Sequence, residues 1–326
     1  MTEWLGGNKQ MATMDDVKLI DVTLRDGGYK NNFHFPAEIV TQIVSNADKA
    51  GIEYVEVGYR NGVWETPPNI GPTGLCSKNY LASCRNLIRS SKLTVMFHPK
   101  NLQKSDLDEM RACEVDCVRI SFPVNDHKLG FDYIQLAKQC GFEVFVNLTH
   151  LSQKTLDELD QLVGQIALCK PNAIGLADSN GYLTPDSVQS IFSYLTKKYK
   201  VDFCFHAHDN LFLAQANAYT AIHHGAKYID ATFSGLGKGV GNLRMEGIVA
   251  LMSSRGCMKY DLCTILKIAD LINIKMQNGT QPLPMKAIIM GIFNISVRDH
   301  LDDNLPIEIY YEAAKQCGAK KIASQN

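Results

Sequence analysis

Two histidines stand at the end of a short apolar segment and could bind one metal ion. The segment Phe203–Asn210 reads Phe-Cys-Phe-His-Ala-His-Asp-Asn, which places His206 and His208 two residues apart. Because side chains alternate between the faces of a β-strand, residues at this spacing point in the same direction. Two imidazoles are an incomplete ligand set, so a metal site here requires a third group from elsewhere in the chain.

An acidic residue that could complete this set lies near the amino terminus. The segment Leu24–Gly28 reads Leu-Arg-Asp-Gly-Gly, so a strand-like run ends in Arg25-Asp26 before a glycine turn. One carboxylate oxygen and two imidazole nitrogens, with positions left open, suit an octahedral divalent ion such as Mn²⁺ or Mg²⁺; Zn²⁺, Co²⁺ and Fe²⁺ are alternatives. Taken singly, Asp26 could be a turn or capping residue, and the two histidines could be hydrogen-bonded structural residues.

Short apolar segments alternate regularly with helical patterns along most of the chain. Several of these segments are apolar on both faces, as is typical of parallel strands buried on both sides of a sheet. The strand candidates are Lys18–Arg25, Glu53–Tyr59, Leu93–His98, Cys117–Phe122, Glu143–Thr149, Ala173–Asp178, Asp202–His208 and Tyr228–Ser234. The first helical pattern opens at Pro36, which suits a first helical turn, runs through Glu38–Ala50 and stops at Gly51, and similar patterns separate the later strands.

Eight such units over residues 18–254 predict an α/β fold, a closed (β/α)₈ TIM barrel. The competing fold is an open doubly wound sheet, but no Gly-x-Gly-x-x-Gly turn follows the first strand. We expect a mobile arm over residues 1–15, a catalytic barrel over 16–256, a helical carboxy-terminal domain over 257–319 and a frayed tail over 320–326. Helical patterns in the carboxy-terminal part cover 261–274, 285–295 and 306–317.

A TIM barrel gathers the carboxyl ends of its strands at one mouth, where catalytic residues lie. The first and seventh strands are separated there only by the eighth, so Asp26, His206 and His208 can converge on one ion. The predicted strand ends carry many ionisable or polar residues: Arg25-Asp26, Tyr59-Arg60, His98, Thr149-His150, Asp178-Ser179, and His206 with His208.

Composition excludes several classes of function. The formal net charge of -1 gives no basic surface for nucleic acid or acidic lipid, and no apolar stretch is long enough for a membrane span. Ten cysteines are present, but no Cys-x-x-Cys pair and no signal-peptide pattern occur. We therefore expect a cytoplasmic protein with reduced thiols.

A glycine-rich segment follows the eighth predicted strand. Phe233–Leu243 contains four glycines and Lys238, but its spacing differs from that of a phosphate-binding loop. The glycines fit a tight backbone path at the barrel mouth. Asn242 would then either cap the last barrel helix or face the metal.

Three motifs together resemble the signatures of the DRE-TIM metallolyase superfamily, which has an HMGL-like barrel. They are Leu24-Arg-Asp-Gly27, His206-Ala-His-Asp-Asn210 and Gly235-Leu-Gly-Lys-Gly-Val-Gly-Asn242. The resemblance implies metal ligation by Asp26, His206 and His208, with Asn242 as a further ligand in some members. It also implies that Arg25 stabilises an enolate.

Within the superfamily, the chain looks most like the 4-hydroxy-2-oxovalerate (pyruvate) aldolases. The glycine-rich motif lacks the cysteine of the lyases and the Gly-Glu-Arg of the synthases, and Ser179 matches a serine that contacts the pyruvate carboxylate. This resemblance implies a divalent-metal-dependent carbon-carbon lyase acting on a 2-oxo acid enolate and an aldehyde. It also implies a homo-oligomer and a dehydrogenase partner.

The sequence departs from the aldolases at the general base. Tyr29 stands where they carry a histidine, and the stretch 290–296 lacks their tyrosine. Tyr29 could act beside the metal or Arg25, could shape the pocket, or could leave proton transfer to His34, His98 or His150. We expect Tyr59 and Arg60 to contact the variable half of the substrate.

Two other functions stay open at this point. One is an acyl-CoA-dependent Claisen-type synthase or lyase of the same superfamily. The other, a lesser alternative, is a metal-binding barrel without catalysis that serves as a partner subunit, which the missing histidine and tyrosine leave open.

Overall fold

The computed structural model describes residues 14–123, 126–276 and 304–325, together with 286, 289–290, 293–296, 299 and 301–302. Eight parallel strands close into one barrel in chain order, each paired with its sequence neighbours and β1 with β8. This confirms the predicted (β/α)₈ TIM barrel. The strands are β1 (Lys18–Asp21), β2 (Tyr54–Arg60), β3 (Lys92–Phe97), β4 (Cys117–Ser121), β5 (Glu143–Leu148), β6 (Ala173–Asp178), β7 (Asp202–Ala207) and β8 (Tyr228–Ala231).

A helix follows every strand and lies on the outside of the barrel. The long outer helix between β1 and β2, Ala37–Lys49, is typical: Ile39, Ile43 and Ala47 recur about every turn and are buried against the strands. The helices are α1 (Thr23–Asp26), α2 (Ala37–Lys49), α3 (Pro72–Leu75), α4 (Lys78–Arg85), α5 (Lys104–Ala112), α6 (His127–Gln139), α7 (Leu156–Leu168), α8 (Pro185–Lys198), α9 (Ala214–His223), α10 (Met245–Ser254), α11 (Leu262–Met276) and α12 (Ile307–Gln325).

The first strand is shorter than predicted and turns into a helix before the motif residues. β1 ends at Asp21, and the Asp21 carboxylate accepts a hydrogen bond from the backbone N–H of Thr23 at 3.0 Å. This local bond competes with the strand ladder and favours a turn. Arg25 and Asp26 therefore lie on the single helical turn α1 and not on a strand end.

The barrel interior is built in layers along its axis. The lowest layer is apolar and contains the rings of Tyr54, Phe145 and Tyr228, with centroids 4.8 to 5.7 Å apart. Above it lie buried charged side chains, and above these lies the mouth. The core therefore closes the bottom of the barrel and leaves the chemistry at the carboxyl ends of the strands.

A bulge in β2 sets the direction of its last two side chains. The pairing of β2 with β3 shifts register between Glu56 and Tyr59, around Gly58 at φ +147°. A Cβ atom at residue 58 would lie 1.8 Å from the Thr73 carbonyl oxygen, so no side chain fits there. The extra residue turns Tyr59 toward the barrel mouth and Arg60 toward α5.

The carboxy-terminal helices pack beside the barrel, as the sequence predicted. α11 contacts α2 and α10, while Ile289, Ile295, Tyr310 and Ala314 form a small separate core. α12 continues to Gln325, through the region predicted to be a frayed tail. The predicted helix over 285–295 and the predicted arm over 1–15 lie mostly outside the described residues, and the domain boundaries stay predictions. None of the described helices has the length and apolarity that crossing a membrane requires.

The substitution Gly58→Ala should destabilise the protein strongly. The new methyl group would meet backbone that cannot move without breaking β2, so we expect the free energy of unfolding to fall by about 3 kcal/mol or more. Gly141→Ala is the matched control, because Gly141 also has positive φ (+79°) but no atom within 4 Å of the new Cβ. It should cost about 1 kcal/mol from backbone strain alone. Urea denaturation measures both, and equal losses would contradict the steric explanation.

Candidate metal centre

Three buried side chains converge at the barrel mouth and could hold a cation. Asp26 from α1 and His206 and His208 from the end of β7 each offer a ligand atom, and these atoms lie within 4.8 Å of one another. The Nε2 atoms of the two histidines are 3.4 Å apart, and their rings are nearly perpendicular at 81°. The structure thus brings together the three residues singled out in the sequence.

The protonation states of these groups suit metal binding. Burial lowers the pKa of His208 to about 3, so its imidazole is neutral at pH 7 and has a lone pair to donate. Burial raises the pKa of Asp26, but Arg25 and the two histidines outweigh this and hold it well below its usual value. His206 Nδ1 lies 3.0 Å from the Asp230 carboxylate, which orients the ring so that Nε2 faces the cluster.

Asn242 adds an amide oxygen beside the three side chains. Its Nδ2 group donates to Asp26 Oδ2 at 2.7 Å, while its buried Oδ1 has no hydrogen-bond partner among the described residues. Amide oxygens are ordinary ligands of hard divalent cations. Asn242 does not cap α10, which begins three residues later at Met245, so the capping alternative is wrong. Two imidazoles, a carboxylate and a spare amide oxygen together fit a divalent metal ion.

The glycine-rich segment wraps around Asp26. The backbone N–H of Lys238 donates to Asp26 Oδ2 at 3.2 Å. A Cβ atom at Gly237 would lie 2.3 Å from Asn242 Nδ2 and 2.8 Å from Asp26 Oδ2. Glycine is therefore required there by the close approach of the loop to the metal ligands, and the segment does not act as a phosphate loop.

A layer of buried charges supports the cluster from below. Arg25 donates to Glu56 at 2.8 Å and to Asp26 at 2.7 Å. Arg119 donates to Asp230 at 2.8 Å and to Glu56 at 3.3 Å. Two guanidinium groups face three carboxylates, which leaves one excess negative charge beside the two histidines. This balance favours a bound cation.

Sequence reasoning missed three members of this layer, Glu56, Arg119 and Asp230. Each stands alone among apolar neighbours inside a strand, as in Val-Glu-Val, Val-Arg-Ile and Ile-Asp-Ala. A charge in a strand buried on both faces must have a partner, because an unpaired buried charge costs several kcal/mol. That pattern was the signal available in the sequence.

A cavity of about 80 Å³ lies above the cluster at the barrel mouth, and Tyr29, Tyr59, His98, His150, Ser179 and Lys238 contribute to its walls. Tyr29 is 36% exposed at the rim, and its hydroxyl donates to the Tyr59 hydroxyl at 3.3 Å. Burial of that hydroxyl beside Tyr59 raises the pKa of Tyr29 well above its usual value. Tyr29 is therefore a hydrogen-bond donor at neutral pH and not a base.

Ser179 is held in place by its neighbours on β5 and β6. Its hydroxyl oxygen accepts a hydrogen bond from the His150 backbone N–H at 2.9 Å, which leaves its own hydrogen free to donate into the cavity. The preceding residue, Asp178, is buried and accepts from the backbone N–H groups of Tyr182 and Leu183. These bonds fix the loop that carries Ser179.

Two residues considered in the sequence lie away from the cavity. Arg60 was expected to contact substrate, but the β2 bulge turns it outward, where it donates to Asp106 at 2.9 Å and pairs with Glu109 on α5. It is not among the residues that line the cavity, so that expectation is corrected. His34 contacts the Asn69 carbonyl oxygen at 2.7 Å and is likewise outside the cavity wall.

The carboxy-terminal region contributes one wall of the cavity. Ser296 lines it and lies 3.2 Å from His150 Nε2. Asn294 accepts hydrogen bonds from Ser152 and Asn180, both at 2.8 Å, which attach this segment to the β5 and β6 loops. No local pattern indicates this contact, since it joins residues more than 100 positions apart.

The chain is similar to a known family and to known proteins over most of its length. The family model described as HMGL-like matches residues 16–272. A 4-hydroxy-2-oxovalerate aldolase of Moorella thermoacetica is 31% identical over 281 residues, covering 84% of this chain and 82% of that protein. The crystal structure of the N-terminal domain of a candidate aldolase from Bacteroides vulgatus matches with a TM-score of 0.73 and 28% identity, covering 95% and 100% of the two chains.

A more distant structure shares the fold alone. The Bacillus subtilis HMG-CoA lyase matches with a TM-score of 0.68 and 18% identity, covering 85% of this chain and 98% of that one. The same barrel architecture therefore also occurs in an enzyme with a different name.

The substitution His208→Gln should weaken metal binding without adding a charge. It removes a neutral ligand, and we expect the Mn²⁺ affinity to fall by more than about 100-fold. Asp230→Asn should have a smaller effect, about 10- to 100-fold, because it keeps every proposed ligand and alters the group that orients His206 and pairs with Arg119. Isothermal titration with Mn²⁺ measures both.

His223→Gln at the end of α9 is the matched control for these variants and should bind Mn²⁺ as the wild type does. Equal affinity of the wild type and His208→Gln would rule out this centre.

Proposed function

The chain belongs to the HMGL-like family, and on that premise we propose that it is a divalent-metal-dependent aldolase, a carbon-carbon lyase. It cleaves or forms the bond between the enolate of a pyruvate-type 2-oxo acid and an aldehyde. The observation that carries this proposal is the convergence of Asp26, His206 and His208 beside Arg25. Relatives named 4-hydroxy-2-oxovalerate aldolase support it at about 30% identity over most of the chain.

Asp26, His206 and His208 would hold the divalent ion, with Asn242 as a further ligand. We propose Mn²⁺ or Mg²⁺, since the set combines oxygen and imidazole ligands and leaves positions open. When bound, the ion supplies Lewis-acid polarisation of the 2-oxo group. The side chains of the protein carry out the remaining steps, which are substrate binding, charge stabilisation and proton transfer.

Arg25 stabilises the negative charge that develops as the bond breaks. In cleavage, the C3–C4 bond supplies the electron pair of the enolate, the 4-hydroxyl loses its proton, and the enolate later takes a proton at C3. The Arg25 guanidinium is fixed by Glu56 and Asp26, so it needs little reorganisation to face the enolate oxygen. Ser179 donates its free hydroxyl hydrogen to the substrate carboxylate.

Tyr29 orients the oxygen that gains or loses the proton. Its raised pKa keeps it protonated, and its one hydroxyl hydrogen would turn from the Tyr59 oxygen to the 4-hydroxyl or the aldehyde oxygen when substrate binds. The proton itself passes to a histidine of the cavity wall. His98 and His150 line the cavity, and His98 stacks on the Tyr59 ring at 5.5 Å.

Three further expectations stay predictions: a cytoplasmic location, a homo-oligomer, and a dehydrogenase partner that consumes the aldehyde. The acyl-CoA-dependent alternative is separated from the aldolase by adding acyl-CoA. A synthase or lyase of that kind releases free thiol, and an aldolase does not.

The proposed reaction predicts metal-dependent pyruvate release from 4-hydroxy-2-oxo acids. EDTA should abolish it and Mn²⁺ or Mg²⁺ should restore it. Arg25→Ala and Asp26→Asn should each lower kcat by about 100-fold or more, because each removes electrostatic stabilisation at the reacting centre. A lactate dehydrogenase-coupled assay follows the pyruvate.

Arg89→Ala, at an exposed site on the outside of the barrel, controls for the loss of an arginine and should leave kcat unchanged. Absence of turnover, or turnover insensitive to EDTA and to both substitutions, would overturn the aldolase and favour a non-catalytic metal-binding subunit.

The substitution Tyr29→Phe tests the donor role. It keeps the ring that packs edge-on against Phe33 at 5.1 Å and removes only the hydroxyl. We expect kcat/KM to fall about tenfold, the effect of one uncharged hydrogen bond. Tyr194→Phe, exposed on α8, is the control. Unchanged kinetics would reduce Tyr29 to a shape-determining residue, and a loss of 1,000-fold or more would make it the proton-transfer group.

A further inference from the structure

One side of the cavity is lined by polar groups that the mechanism above does not use. Ser121 at the end of β4, Asn147 in β5 and Thr149 just after β5 all line the cavity, and we refer to these three residues as the β4–β5 wall. Side chains two positions apart along a strand point to the same face. Ser121 therefore faces inward like Arg119, and Thr149 faces inward like Asn147.

The β4–β5 wall offers hydrogen-bonding groups that the protein leaves open. The Asn147 side chain is only 4% exposed, and Arg119 Nε donates to its Oδ1 at 3.3 Å. This bond fixes the amide so that its Nδ2 group has no acceptor within the described part of the chain. The hydroxyls of Ser121 and Thr149 likewise have no hydrogen bond to any described residue.

Neighbouring packing keeps Asn147 in this position. Gly175 is its partner on β6, and a Cβ atom at Gly175 would lie 3.0 Å from the Asn147 side-chain carbon. The amide therefore occupies space that a larger residue on β6 would take. An amide held in this way, with its Nδ2 group facing the cavity, is positioned to donate a hydrogen bond to a bound ligand.

The position of the β4–β5 wall relative to the candidate metal centre indicates which half of the substrate it meets. The argument rests on the proposed function, in which the 2-oxo acid end lies against Asp26, Arg25 and Ser179. In a closed barrel of eight strands in chain order, β4 and β5 lie across the mouth from β8 and β1. Measured from the proposed metal ligands Asp26, His206 and His208, a carbon chain that extends away from them beyond C4 reaches the β4–β5 wall.

We infer that the aldehyde substrate is a short, uncharged hydroxyaldehyde and not an alkyl aldehyde. Hydroxyls at its second and third carbons would pair with Asn147 Nδ2, Ser121 and Thr149, whereas an alkyl chain would leave all three unpaired. A site built to bond a substrate hydroxyl discriminates strongly against the analogue that lacks it. The three wall residues carry no charge, which favours a neutral partner, and a cavity of about 80 Å³ favours one of a few carbons.

The first experiment compares two aldehydes of equal length in the wild-type enzyme. With Mn²⁺ and pyruvate, kcat/KM is measured for glyceraldehyde and for propanal, each expressed per concentration of free carbonyl form. We expect a preference of at least about tenfold for glyceraldehyde. Equal rates, or a preference for propanal, would overturn the inference and leave the aldolase intact. Absence of addition to both aldehydes, together with no pyruvate release from 4-hydroxy-2-oxo acids, would overturn the proposed function itself.

The second experiment links the preference to the β4–β5 wall. Ser121→Ala and Thr149→Val remove one hydroxyl each at nearly constant shape. Each should lower the ratio of the two kcat/KM values by a factor of about 3 to 10. Ser190→Ala, exposed on α8, should keep the wild-type ratio. A wild-type ratio in both wall variants would overturn the assignment of the preference to these residues.

Discussion

Arg119 lies at the centre of the barrel with no exposed surface, and its guanidinium contacts groups from four other strands, including Cys204 on β7. It donates to Glu56 on β2, Asn147 on β5 and Asp230 on β8. Removing a guanidinium from water costs several kcal/mol, which only such complete pairing offsets. Glu56 in turn holds Arg25, and Asp230 orients His206. The positions of the reactive groups at the mouth are therefore set by a charge one layer below them.

The architecture and the three converging side chains could be predicted because both depend on short-range patterns. Strands apolar on both faces, separated by helices, indicate a parallel barrel, and a closed barrel places the ends of β1 and β7 near each other. Once the barrel is closed, the positions of Asp26, His206 and His208 in the chain place all three at the same side of its mouth. The spacing of these residues does not specify a reaction. The proposed aldolase reaction therefore also depends on membership of the HMGL-like family.

The rest of the site depends on contacts that no local pattern contains. Tyr59 and Arg60 are neighbours in a strand and must point to opposite faces, but the bulge before them decides that Tyr59 is the one facing the barrel mouth. Arg119 is visible as a charge inside an apolar strand, but its partners Glu56 and Asp230 lie 63 and 111 residues away. Asn147 looks like an ordinary strand residue until Arg119 fixes one end of its amide. In each case the residue type can be read from the sequence, but the direction and partners of its side chain depend on the tertiary structure.

The contact between Arg119 and Asp230 also joins two halves of the molecule that could otherwise be regarded as modules. Strands β1 to β4 carry the guanidinium, and strands β5 to β8 carry the carboxylate and the amide of Asn147. Separating the halves would leave Asp230 in β5 to β8 without its guanidinium partner, while Arg119 in β1 to β4 would keep Glu56 and lose Asp230. Closure of the barrel is therefore coupled to charge neutralisation across its diameter. A chimera that exchanges one half with a relative must carry compatible residues at positions 119 and 230, whatever else it preserves.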